Sequence, residues 1–147
     1  MASDSKSLNG LINVLEDGRS FYKEAANEAV RPDLKALFSR MARTKMVIAN
    51  DLKARVVSAG DEPADGSLAG SLRKQYAEIR TRLANDADAE YVAQLEEFED
   101  RILDEFQEQV EKSDDPGVRA IALKYLPEVR RDHDEMQALK RGMGRGK

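Results

Sequence analysis

The sequence predicts an all-α protein: an antiparallel bundle of four long amphipathic helices, with an additional helix in the long crossover between helices two and four. Three observations carry this. Apolar residues recur at spacings of three and four along most of the 147 residues, the period of a helix with one buried face. The breaks fall at a few points rich in proline, glycine and aspartate: Arg31-Pro32-Asp33, Gly60 to Gly66, Asn85 to Asp88 and Ser113 to Pro116. The length suits one domain, residues 1–147, with 7–140 ordered and 141–147 a flexible basic tail.

Helix one is expected from about Ser7 to Glu28, with Leu8, Leu11, Leu15, Gly18, Tyr22 and Ala26 on one face. A glycine inside a helix costs about 1 kcal/mol against alanine, so Gly18 marks a close helix contact. Pro32 suits the first position of helix two and Asp33 the positive end of its dipole. Helix two runs to about Ala59, stops at Gly60, and carries the core line Leu34, Phe38, Met41, Lys45, Ile48, Leu52 and Val56. At about 1.5 Å per residue it is roughly 40 Å long. Ser67 can cap a third helix reaching about Ala84, with Leu68, Leu72, Tyr76, Ile79 and Leu83 on one side. Such a one-faced helix covers a bundle and carries the chain back, so that helix four runs parallel to helix two. Asn85 to Asp88 breaks and recaps the chain into helix four, which ends near Lys112. Asp115 caps helix five, Pro116 opens it, and Val118, Ala122, Leu126, Val129, His133 and Met136 point inward. Pro127 removes the amide that would bond to Leu123, which predicts a kink before His133.

Composition excludes several kinds of chemistry. The chain has no cysteine, which removes disulfides, thiolate metal sites and cysteine catalysis. There is no glycine-rich phosphate loop and no serine placed with the single histidine. The start, Met1-Ala-Ser-Asp-Ser-Lys-Ser, lacks the apolar run of a signal peptide, and no later stretch is long enough to span a bilayer. A cytoplasmic location and no membrane partner are the expectations. Asp86 to Asp115 is heavily acidic and the segment from Pro116 onward basic, which predicts antiparallel helices with complementary faces. The basic tail from Lys140 has no aromatic stacking residue and an acidic body behind it, so no nucleic-acid partner is expected.

The anomaly lies between Leu95 and Phe106. Val92, Leu95, Ile102, Phe106 and Val110 form a buried line, and Glu99 sits in the middle of it. A carboxylate there must meet a cation, a metal or a proton. Lys45 is the equivalent misfit of helix two. Leu15, Lys45, Glu99 and His133 all lie near the middle of their helices, which places them in one layer.

The local sequences resemble those of rubrerythrin-like relatives of ferritin. Leu15-x-x-Gly18-x-x-Phe21-Tyr22 resembles their first-helix motif, in which a glutamate ligand precedes that glycine by three residues and that tyrosine by seven. Leu37-Phe38-x-x-Met41-Ala42-x-x-Lys45-x-x-Ile48 resembles their second helix, with Lys45 and Ile48 where Glu-x-x-His would stand. Glu99, seven before Phe106, looks like the third ligand helix, and Arg130-x-x-His133 falls where the last Glu-x-x-His belongs. The likeness extends from about Leu8 to Leu139. An uncharacterised bacterial branch shares the Ser67-Leu-Ala-Gly70 start of the crossover helix and the late pair His133-Asp134.

The resemblance implies a ferritin-like bundle and a di-metal centre at Leu15, Lys45, Ile48, Glu99, Arg130 and His133. Of these only Glu99 and His133 keep a ligating side chain. Two cations where carboxylates belong repel a divalent ion, so these six read as vestigial ligand positions, with no catalytic residue, no cofactor and no metal. Lys45 and Arg130 are then expected to supply the positive charge that Glu99 needs, with His133 completing a buried network. The competing reading has Lys45 snorkelling outward and Glu99 facing solvent. The alternative function is a metal-binding ferritin-like protein with a mononuclear site, which Glu16 or Asp17 would complete, or with residual di-iron oxidase or ferroxidase activity.

The function expected is therefore that of a non-catalytic helical protein, structural or stress-associated. Its interactions would be a homodimer formed through Tyr76, Ile79 and Leu83, or an unknown protein partner. A small apolar ligand in a gap near Gly18 is a third reading.

Overall fold

A computed structural model describes residues 2–145. In it the chain forms α1 (Ala2–Glu28), α2 (Pro32–Ser58), α3 (Ala69–Arg80), α4 (Ala84–Lys112) and α5 (Pro116–Arg145). The all-helical expectation holds, and each break falls within a few residues of a predicted one. Among the described residues no helix is long and apolar enough to cross a membrane.

The turn between α1 and α2 is held from outside. Pro32 has no amide to satisfy, but Val30 and Arg31 do, and both donate to the buried carboxylate of Asp88, at 3.0 and 3.2 Å. Asp88 therefore lies inside α4, not in a break before it, and α4 begins at Ala84. At the far end of α2, Gly60 takes a left-handed φ of 83° and its amide bonds to Val57 at 2.9 Å.

The chain then climbs back along α1 on a ladder of side chains spaced four apart. Ser5 donates to Asp61. Asn9 donates to the Glu62 carbonyl and accepts from the Ala64 amide at 2.7 Å. Asn13 accepts from the Gly66 amide at 3.1 Å. Asp17, itself buried, accepts from the amides of Ser67 and Leu68 at 2.9 and 3.1 Å and from the Ser67 hydroxyl at 2.9 Å. Ser67 is thus a donor to Asp17 and not the cap of α3. The cap residue is Leu68, with no side-chain cap of its own, and α3 ends at Arg80 rather than near Ala84. Arg80 continues the climb by pairing with Glu24 and with Glu28. The crossover brings α4 to the top of the bundle, so α4 runs parallel to α2 as its one-faced character predicted.

α1 packs on both α2 and α4, and α4 on α5. At Gly18 an added Cβ would lie 3.2 Å from Ile102 Cδ1, so the glycine does mark a close helix contact and leaves no gap for a ligand. α3 lies over α1 and α4 with Leu72 and Ile79 buried, and with the Tyr76 ring edge-on to Phe21 at 5.1 Å. Of the expected self-association stripe only Leu83 is exposed; Ile79 and Tyr76 are used within the chain. α5 is N-capped by Asp115, whose carboxylate accepts from the Val118 amide at 2.9 Å. It passes through Pro127 and continues to Arg145, beyond the point near Lys140 where the glycine-rich composition predicts a flexible tail; residues 146 and 147 lie outside the described ones.

The apolar core is in two parts. One cluster joins Leu8, Leu15, Ile48, Leu52, Phe106 and Val129 among others. The second joins Phe21, Phe38, Met41, Tyr91, Leu95 and Met136 with their neighbours. What separates them is a layer of charge.

Candidate functional site

Each of the four long helices sends one polar side chain to the centre of that layer: Tyr22 from α1, Lys45 from α2, Glu99 from α4 and Asp132 from α5. The helical period puts them there. Lys45 lies between Met41 and Ile48, and Glu99 between Leu95 and Ile102; all four flanking side chains are buried. Asp132 follows the buried Val129 by three positions and precedes the buried Met136 by four.

The side chains of Lys45 and Glu99 have 0% exposure and that of Asp132 7%. Lys45 Nζ lies 2.9 Å from Glu99 Oε1 and 2.9 Å from Asp132 Oδ2. The contact to Asp132 is an aligned hydrogen bond, whereas that to Glu99 is ionic and poorly aligned, leaving Glu99 Oε1 without a hydrogen-bond donor. The Tyr22 hydroxyl donates a hydrogen bond to the other oxygen, Glu99 Oε2. The Lys45 ammonium also stands 6.0 Å from the centre of the Tyr22 ring.

Burial and charge oppose one another here. Burial pushes the Glu99 carboxyl above its ordinary range, against the pull of Lys45 and the Tyr22 hydrogen bond. Burial pulls Lys45 down, but the two carboxylates outweigh it and hold the ammonium above its ordinary value. Tyr22 is raised by burial and by the adjoining Glu99 charge, so its proton stays on. The layer is a closed electrostatic unit: one ammonium, two carboxylates, one phenol.

Lys45 and Glu99 thus meet as the core lines of α2 and α4 predict, and the snorkelling alternative fails. The other expected members do not join them. Arg130 is exposed, because it precedes Asp132 by two positions, which points it to the opposite side of α5. His133 is one position past Asp132 and faces the flank of the bundle, with its side chain 13% exposed. Its Nε2 lies 2.6 Å from Asp100 and its Nδ1 3.0 Å from Asp134. Leu15 and Ile48 are buried in the apolar cluster on one side of the layer. Glu16 binds Lys53 at 3.0 Å and Asp17 holds the crossover, so neither reaches the centre. Asp132 is the acid that the sequence reading lacks, and Tyr22 the donor.

A di-metal centre does not fit these residues. Its six implied positions offer two buried aliphatic side chains, a buried ammonium, an exposed guanidinium and a histidine turned to the flank. Only Glu99 faces the middle from that set. Among the described residues no three histidine, aspartate or glutamate side chains are grouped to hold a metal ion.

Fold and site together define a class: an all-α bundle whose centre is an internal ion-pair layer. The chain belongs to the family described as Domain of unknown function (DUF2383), whose model matches residues 3–112. That match ends at the close of α4, so Asp132 lies beyond it. Among solved structures, a conserved hypothetical protein, Rv2844 from Mycobacterium tuberculosis, has a similar fold, with a TM-score of 0.70 at 13% identity. The likeness covers 95% of this chain and 91% of that one. No curated protein sequence matches the chain.

Proposed function

We propose that the chain is a non-catalytic, ferritin-like helical bundle in which the Lys45 ammonium stands in for the metal ions of a di-metal centre. The observation that carries this reading is the position of Lys45 Nζ, fully buried and 2.9 Å from a carboxylate oxygen of each of two other helices. A metal pair in such a bundle cross-links four helices through carboxylates. Here a single organic cation makes the cross-links and needs no redox chemistry, no open coordination position and no solvent path. The order of the helices, with a long crossover between two hairpins, and the layer at mid-height support the ferritin-like assignment. The role is that of a structural protein.

Elemental mass spectrometry on protein purified without chelator, then offered ferrous iron, manganese and zinc, tests the proposal. Substoichiometric metal and a melting curve unchanged by chelator are expected. One metal ion per chain, lost in Glu99→Ala, would overturn it and favour the mononuclear alternative. Lys45→His is the complementary test: with the cation replaced by an imidazole facing Glu99 and Asp132, cobalt(II) is expected to bind and give a ligand-field spectrum that the parent lacks.

A further inference from the structure

The charge on the outside of the bundle is divided between opposite corners. α1 touches both α2 and α4, so α2 and α4 lie diagonally across the core. The outer side of α2 carries Arg40, Arg43, Val47, Asn50, Ala54 and Val57, all exposed and none acidic. Val47 is 57% exposed and Val57 60%, two apolar side chains that no described residue covers. Clefts flank this crest on both sides. One of about 300 Å³ is lined by Arg19, Lys23, Arg43 and Met46 with two alanines, and one of about 380 Å³ by Arg40, Arg43, Thr44, Val47, Ile48 and Glu128. Among the described residues Lys23 and Arg43 pair with no carboxylate.

The diagonal corner is mainly acidic, with Arg101 exposed between Glu97 and Asp104. Glu97, Asp104, Glu108 and Glu111 of α4 are exposed, and none of them has an ion-pair partner among the described residues. The complementary faces that the sequence predicts for α4 and α5 meet at Lys140, 3.3 Å from Glu96, and at His133, 2.6 Å from Asp100, whereas the exposed ridge has no such partner among the described residues. Glu105 shows the result: burial and then the charges of Glu108 and Asp104 push its carboxyl upward. On α5, Leu123 is 58% exposed.

A cationic crest and an anionic ridge are complementary, and their diagonal placement forbids one molecule from joining them. We propose that the α2 crest of one copy docks the α4 ridge of a second copy of this chain, giving a head-to-tail, salt-sensitive self-association. Such a contact joins two different surfaces, so each copy keeps one of each free for the next. The charge sets the encounter and register, and the valines of the crest supply the desolvated contact.

Sedimentation velocity of the full chain tests this at about 0.01 M and about 1 M salt, where the Debye length is about 30 Å and about 3 Å respectively. Association that grows with protein concentration at low salt and vanishes at high salt is expected. Arg43→Glu spoils only the crest and Glu108→Arg only the ridge, so each variant alone should be monomeric while keeping the parent's circular dichroism. An equimolar mixture of the two should associate again, since an intact crest meets an intact ridge and the two reversed charges are themselves of opposite sign. A chain that stays monomeric at low salt would overturn the proposal. So would association that both variants retain, or a mixture in which the two fail to pair.

Discussion

Lys45 keeps its charge while fully buried, and the cost of that arrangement depends on which atom is removed. Lys45→Met leaves Glu99 and Asp132 facing each other without a cation, and is expected to lower stability by about 3 to 5 kcal/mol in urea denaturation. Replacing the whole set by apolar residues, Lys45→Met with Glu99→Leu, Asp132→Leu and Tyr22→Phe, is expected to be neutral or stabilising in the same measurement. His133 gives a second prediction. Both of its ring nitrogens face a carboxylate, an arrangement that calls for both to donate and so for the imidazolium. Burial pulls its pKa down, but the hydrogen bonds and charges of Asp134 and Asp100 outweigh it and hold it above the ordinary histidine value. The folded value is above the unfolded one, so this stabilisation is complete below the ordinary histidine pKa and is lost as pH rises through the raised one. An NMR titration of the ring should show that raised value, and Asp100→Asn should bring it down. If the two titrate alike, the Asp100 contact does not form in solution.

Two glycines of α1 separate helix propensity from packing. Around Gly10 an added Cβ meets nothing within 4 Å, so Gly10→Ala is expected to stabilise the protein by about 0.5 to 1 kcal/mol. At Gly18 even a methyl group would sit 3.2 Å from Ile102, and Gly18→Val is expected to destabilise by about 1 to 3 kcal/mol, both read from thermal melts. The crossover offers a third case. Asp17→Ala removes the acceptor of two amides and a hydroxyl, and should cost about 1.5 to 3 kcal/mol while speeding amide exchange at Ser67 and Leu68. The helices themselves were legible because Pro32, Gly60 and Pro116 interrupt clear apolar periods. The roles of Ser67 and Asp88 are not legible in the sequence because their partners lie about fifty residues away or more, where no local pattern reaches. The misplacement of Arg130 has a different cause. From Arg130 to Glu135 the chain is charged at every position but the histidine, so no apolar residue marks the phase; interpolation between Val129 and Met136 would have selected Asp132.

Across the whole molecule the charged layer divides one core into two apolar clusters, and its four side chains can meet in only one register of the helices. Purely apolar layers tolerate sliding and rotation far better than an ion pair does. The apolar variant of all four positions is therefore expected to keep its melting temperature but to show broader NMR lines and more dye binding than the parent. Sharp lines in that variant would assign the register to the loops instead. The crossover is a natural candidate for that share. Apart from Asp61 and the Ser67 hydroxyl, its partners on α1 are met through backbone atoms of residues 62, 64, 66, 67 and 68. Backbone recognition ignores which side chain is present, so most of this strap should be free to drift in composition, Gly66 with its φ of 105° excepted. Its length should not be. Removing one residue shifts every rung past its four-residue spacing on α1, and a deletion scan would find the strap indifferent to spelling and strict about count.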